Sequence, residues 1–252
     1  SADLYNEHEM EMKIKGFSLK KRIKRLARKV IIHNLKAIIV VAEGDYNQTK
    51  KWYRTKAKML QAEYAYNLIE VDDLKNDSKS TIKILAGHEA DEACCHKRLF
   101  KRLEFCKDKN VEIITILSYP RHNLAYIDDV IITGKHIFGD KFFPVIDWMP
   151  YEAYIELLNS IDIAVFEMDI QMGAGNIFNL LYLGKKVYIS DKNSIYEQLI
   201  KQGMECFSKQ EIDPKTFFQP LTDEEKKNNR KKIADELSDS TFKRKWNKVF
   251  QL

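Results

Sequence analysis

From Thr81 onward the chain alternates short apolar runs with longer amphipathic ones, and this alternation restricts the fold more than any other feature. "TIKILAG" (81–87), "VEIITILSY" (111–119), "KFFPVID" (141–147), "IDIAVFE" (161–167) and "KKVYIS" (185–190) read as strands. "DEACCHKRLFKRLEFCKD" (91–108), "LAYIDDVIITGKHIFG" (124–139), "PYEAYIELLNS" (150–160) and "GNIFNLLYLG" (175–184) read as helices. A further helix, "NSIYEQLIKQG" (193–203), precedes a short strand, "MECF" (204–207). The strands are β-branched and almost uninterrupted in apolar character, as strands buried on both faces must be. The pattern therefore predicts an α/β fold: a Rossmann-like parallel sheet with helices on both faces.

The chain before this region is organised differently. "NLKAIIVVAEGDY" (34–46) reads as a buried strand ending at Glu43, Gly44 and Asp45, followed by a helix over 47–64. The polar stretch 71–80 reads as a linker. "LTDEE" is a helix-start signal in the charged, helical last forty residues. Three regions follow: 1–75, 76–212 for the regular alternation, and 213–252 for the helical end.

Charge is uneven. Lys13 to Lys36 holds ten Lys or Arg and no acid, although the net charge of the 252 residues is only +5, so the remainder is net acidic. Nucleic-acid binding would spread basic residues through the domain, and is not expected. Leu19, Ile23, Leu26, Val30 and Ile31 recur at helical spacing within the basic segment. Two readings stay open: a helix on an anionic membrane surface, or a helix packed on the protein body by its apolar stripe. No apolar run approaches the roughly 18 residues of a membrane span. The four cysteines, Cys94, Cys95, Cys106 and Cys206, do not form a disulfide framework, and reduced thiols are expected. "HEADEACCH" (88–96) fits none of the usual zinc spacings and lacks a second ligand pair, so no metal is expected.

Ligands of such sheets bind outside the carboxyl ends of the strands. Four loops lie there. In "EMDIQMGAGN" (167–176), Gly173 and Gly175 allow close backbone approach. The amino end of the following helix favours an anion, and Gln171 and Asn176 offer polar contacts. A diphosphate is the natural guest, although on the glycines alone a plain strand-to-helix turn explains the loop equally well. In "DWMPYE" (147–152), Met149 and Tyr151 can meet a base or sugar, while Trp148 reads as a packing aromatic. In "SYPRHN" (118–123), Ser118 and Tyr119 sit where the strand meets the loop. In "GHEAD" (87–91), Gly87 permits close approach, and His88, Glu89 and Asp91 are polar. His88 alone of these titrates ordinarily near neutrality. No GxGxxG follows the first regular strand, so a dinucleotide cofactor is not expected.

"KILAGHEAD…CCH", "LSY", "IFGDKFFPVIDWMPYEAYIELLNSIDIAVF", "GN", "LLYLGKKVY" and the upstream "EGDYNQTKKWYRTKAK" together resemble one family. These are the TDP-N-acetylfucosamine:lipid II N-acetylfucosaminyltransferases, also called 4-alpha-L-fucosyltransferases, of glycosyltransferase family 56. The resemblance covers nearly the whole chain. It implies a GT-B fold, with two Rossmann-like domains across a cleft and the nucleotide sugar, a TDP-sugar, mainly on the C-terminal one. It implies inverting transfer without metal, a lipid-linked saccharide acceptor, and a peripheral place at the cytoplasmic face of the membrane. The chain departs from the family pattern at Gly87-His88-Glu89-Ala90, where the family shows Gly-Asn-Ser-Ala. It departs again at Ile170, where the family has an arginine facing the donor phosphates. The family's N-terminal domain holds several strands before "ADLYN", so the expectation is a part of a longer protein: the tail of an acceptor domain, the donor domain, and a C-terminal helix crossing back. On this reading Gly87, Ser118, Tyr119, Met149, Tyr151, Gln171, Gly173, Gly175 and Asn176 meet the donor. Asp45 or Glu43 takes the acceptor proton, with His88 as a further base. Asp45 and Glu43 serve equally well as acids capping the helix at 47. The alternative is a GT-B-like nucleotide-binding or scaffold protein that has lost transfer.

Overall fold

The computed structural model describes residues 19–63, 68, 81–120 and 123–252. The linker expected at 71–80 and the first part of the basic segment lie outside the described residues. The regular region forms one six-stranded, wholly parallel sheet. Its strands are β3 (Ile82–Ala86), β4 (Val111–Ile116), β5 (Phe142–Val145), β6 (Ile163–Phe166), β7 (Lys186–Ile189) and β8 (Phe207–Ser208). Their order across the sheet is β5-β4-β3-β6-β7-β8. β6 and β7 are buried at every residue; β6 is an unbroken apolar run, and in β7 the one charged residue, Lys186, donates to the carbonyls of Thr216, Phe217 and Gln219.

Helices cover both faces. α3 (His96–Arg102) and α4 (Leu124–Phe138) pack on one. There Leu99, Phe100, Leu103, Ile127, Val130 and Phe142 form a core with Tyr188 and Phe217. α5 (Tyr151–Ser160), α6 (Ala174–Tyr182), α7 (Ser194–Lys201) and α8 (Asp223–Glu236) cover the other, around Leu158, Phe166, Ile177, Leu181, Leu199 and Ile233. Pro150 stands immediately before α5 as its N-cap. The start signal at 221–225 is a capping box: Glu225 Oε2 accepts from Thr222 N at 2.6 Å, and Thr222 Oγ1 accepts from Glu225 N at 3.3 Å.

Three expectations are corrected. The strand read through Asp45 ends at Val40 (β1, Ala37–Val40), and Glu43 and Asp45 fall in the first turn of α2 (Glu43–Tyr53). Acids are favoured there by the helix dipole. The helix read over 47–64 stops at Arg54, which is left-handed, and Lys58–Gln61 forms β2, paired in parallel with β1. The helix read over 91–108 is broken at its start. Asp91 accepts from Ala93 N at 2.8 Å and caps a tight turn over Glu92–Cys94, and left-handed Cys95 then redirects the chain into α3.

β1, β2, α2 and the basic helix α1 (Leu19–His33) make a small second unit. The last helix, α9 (Asp239–Phe250), returns to it. Lys245 Nζ reaches both carboxylate oxygens of Glu63 at 2.7 Å, and Trp246 Nε1 donates to the Glu63 carbonyl at 3.0 Å.

Candidate nucleotide-sugar site

The strand order reverses between β3 and β6, which opens a crevice beyond their carboxyl ends. Two of the four loops marked in the sequence meet there. Gly87 N donates to Val165 O at 3.2 Å and turns the chain out of β3 at φ +80°. His88 then lies buried against Phe166 and reaches Gly173, which opens α6 at φ +70°. A Cβ on Gly173 would stand 2.9 Å from the His88 ring, so this approach needs glycine for both space and conformation. The two loops are thus locked together at the amino end of α6.

Asn176, on the first turn of α6, is oriented by the hydroxyl of Tyr154 from α5. Burial pushes the Tyr154 phenol up to about 12, so it stays a donor at neutral pH. Gln171 is buried between the loops. Gly175 is the second residue of α6, and its carbonyl accepts from Asn179 Nδ2 at 3.0 Å.

Beside the crevice lies an ion cluster built on Glu167, which is fully buried at the end of β6. Arg102 Nε and Arg98 Nε hold its carboxylate at 2.9 and 2.5 Å, and Lys209 Nζ approaches at 3.2 Å. Asp169 takes Lys209 at 2.7 Å, Arg98 at 3.7 Å and Lys192 at 3.8 Å. Ser190 Oγ also donates to it at 2.5 Å. Burial alone would raise the Glu167 and Asp169 carboxyls, but the Arg102 and Lys209 contacts at Glu167, and the Lys209 and Ser190 contacts at Asp169, more than reverse this. Four cations face two carboxylates here, so the cluster carries excess positive charge. None of it was singled out from the sequence. The available signal was an acid ending the apolar strand "IAVFE", since a buried acid needs basic partners.

Burial brings His88 down to about 4, a neutral imidazole at physiological pH. Glu89, largely buried and near Asp91, is raised to about 7. Cys94 joins them: its Sγ lies 3.8 Å from His88 Nδ1, while His88 Nε2 lies 3.7 Å from a Glu89 oxygen. The absence of a zinc spacing in the sequence did not foresee this gathering.

Other expected residues lie further out. Ser118 is half-buried at the end of β4, and Tyr119 is exposed, its carbonyl bonding Ala90 N at 2.7 Å. Met149 is half-buried and Tyr151 exposed at the head of α5. Trp148, expected to pack, is 78% exposed and does not. Asp45, expected to face a cleft as a base, is buried instead, and its Oδ1 accepts from Ser194 Oγ at 2.8 Å. It ties α2 to the first residue of α7. Glu43, at the same junction, stays half-exposed and lies 3.5 Å from Lys201.

Residues 1–252 match the model of the 4-alpha-L-fucosyltransferase, glycosyl transferase group 56, family. The chain belongs to this family. Its fold is that of GT-B glycosyltransferases. A sucrose-phosphate synthase from Thermosynechococcus elongatus superposes with a TM-score of 0.72 at 12% identity, over 91% of this chain and 61% of that one. A glycosyltransferase from Rickettsia africae does so at 0.69 and 14%, over 94% and 68%. The Anabaena protein HepE, in complex with UDP and glucose, does so at 0.68 and 11%, over 90% and 66%. The chain therefore spans only 61–68% of the length of these three structures.

Proposed function

We propose that this chain carries the donor-binding half of an inverting, metal-independent glycosyltransferase. It transfers a deoxy-amino sugar such as N-acetylfucosamine, from a TDP-sugar or related nucleotide sugar, to a lipid-linked saccharide of a bacterial surface polysaccharide. One observation carries the reading. The glycine-opened amino end of α6 lies at the switch point of the sheet, beside a cation-rich cluster. The N–H groups of the first turn of α6 stabilise the leaving diphosphate. Arg98, half-exposed beside Asp169, supplies the positive charge that Ile170 does not. Gln171 and Asn176 orient the phosphates or the sugar. Gly87, Ser118, Tyr119, Met149 and Tyr151 border the nucleotide.

Glu43 takes the acceptor proton, because of the two acids that open α2 it is the one that stays open to solvent, while Asp45 is buried. Asp45 holds that junction and His88 holds the crevice. Glu43→Gln in the full-length enzyme is expected to lower turnover at least a hundredfold. Full turnover in that variant would remove Glu43 from the role.

The acceptor side is an anionic, cytoplasmic membrane surface, bound through the basic segment 13–36. The apolar stripe of α1 supports this, because Ile23, Leu26, Val30 and Ile31 are all more than half exposed instead of packed on the body. No helix among the described residues is long and apolar enough to cross a membrane. Regions 1–75, 76–212 and 213–252 are the acceptor-side remnant, the donor domain and the returning helical segment.

The donor reading is tested by thermal unfolding with TDP, UDP and GDP, in the wild type and in Asn176→Ala and Gln171→Ala. One nucleotide should raise the midpoint, and each variant should lose the shift. No shift with any nucleotide would overturn it. Ile170 at the family's arginine position favours one second reading, a subunit that binds the nucleotide but does not transfer. A shift without turnover in the full-length protein would select it.

A further inference from the structure

We propose that His88, Glu89 and Cys94 form a binding site for a soft divalent cation, zinc by preference, at the mouth of the crevice. Their donor atoms all lie within 4.8 Å of one another. Tetrahedral zinc, with bonds of roughly 2.0–2.3 Å, separates its ligands by about 3.3–3.8 Å. The 3.8 Å from Cys94 Sγ to His88 Nδ1 lies about 0.3 Å beyond the nitrogen–sulfur edge of such a site. The Glu89 carboxylate, 3.7 Å from His88 Nε2, turns toward the Nδ1 side to complete the set. The mixed nitrogen, sulfur and oxygen set suits zinc and not magnesium or calcium. Three protein ligands leave a fourth position open.

The loop that presents them is pre-shaped. Asp91 caps the turn that carries Cys94 back beneath His88, and Ala90 N is fixed on the Tyr119 carbonyl at 2.7 Å. Asn123 Nδ2 holds Glu92 at 2.6 Å from the neighbouring helix. Binding therefore orders little that is not ordered already. A further unsatisfied group stands at the same place. His96 is wholly buried, its Nδ1 is engaged by the Tyr126 hydroxyl at 2.8 Å, and its Nε2 has no hydrogen-bond partner among the described residues. That Nε2 abuts Gly87, at 2.6 Å from where a Cβ would stand. Asp91 adds negative potential, as the carboxylates around metal-binding histidines commonly do. The Cys94 thiol gives its proton to solvent as sulfur binds the ion.

The experiment is a cobalt(II) titration of the reduced, purified chain, with zinc as competitor. A near-ultraviolet thiolate-to-cobalt band should grow to one equivalent and disappear on adding zinc. Cys94→Ser should lose it, whereas Cys95→Ser and Cys206→Ser should keep it. Glu89→Gln, which keeps the size of the side chain, should keep the band and weaken the titration at least about tenfold. That variant decides the matter if Cys94→Ser does not fold. No band in the wild type, a band that survives Cys94→Ser, or an unchanged titration in Glu89→Gln would overturn the site. The cobalt spectrum does not depend on the donor reading above, so the two can fail separately.

Discussion

The two units of this molecule satisfy their apolar surface in opposite ways. The six-stranded unit is closed: its strands β6 and β7 are wholly buried, and two side-chain cores fill the space between sheet and helices. In the small unit, two short strands show mixed burial, and α1 turns its apolar stripe outward together with Leu35 and Ile39. The first unit is held by what it contains. The second has apolar surface that nothing among the described residues covers. Apolar periodicity alone does not say which way a helix face points, and here the same signal carried both outcomes.

The sharpest way to break this contrast is to unbalance the closed unit. Arg102→Met should destabilise the protein by about 4 kcal/mol in urea unfolding, because it strips a principal partner from a carboxylate that has left water completely. Leu85→Ala, at the centre of the sheet, should cost about 3 kcal/mol in the same assay. A third test uses pH. The Glu167 and Asp169 carboxyls sit below their ordinary values of 4.5 and 3.8. Their stabilisation is therefore fully present above those values and is lost as pH falls through the lower, folded-state ones. Unfolding midpoints should drop as pH falls below about 4.5, and Glu167→Gln should flatten part of that drop. The smallest effect is expected on α1, where Leu26→Ser should change stability by less than about 0.5 kcal/mol. The same variant should nevertheless weaken sedimentation with anionic vesicles and leave neutral vesicles unaffected. A large stability loss there would mean that the stripe packs against the protein after all.

Much of the fold was legible because it depends on period and punctuation. The strand at 161–167, the glycine-opened helix after it and the capping box at Thr222 are local signals, and each stands where the sequence places it. The boundaries that failed are those where one residue's backbone overrides the pattern, as at Arg54 and Cys95. The site was less legible. Gly87, His88 and Gly173 could be named one by one, yet their meeting depends on β3 and β6 being neighbours, and spacing does not encode that adjacency. Tyr154, Arg98, Arg102 and Lys209 come from elements remote in sequence and carry no motif. Trp148 was misjudged because aromatic character speaks of size, and whether a neighbour exists to cover it depends on the tertiary fold.

The return of α9 to Glu63 has a consequence for motion. Lys245 also holds Glu236 of α8 at 2.7 Å, so its ammonium bridges the end of the large unit and the end of β2. The small unit cannot swing away alone; it carries α9 with it. Opening at this end would bend the chain at Leu237–Ser238, between α8 and α9, and would part Lys245 from Glu236, Asp45 from Ser194 and Glu43 from Lys201. The chain is thus hinged near its end and latched at α7, so loss of the Asp45 latch should register as a change in opening rate before it registers as a change in fold.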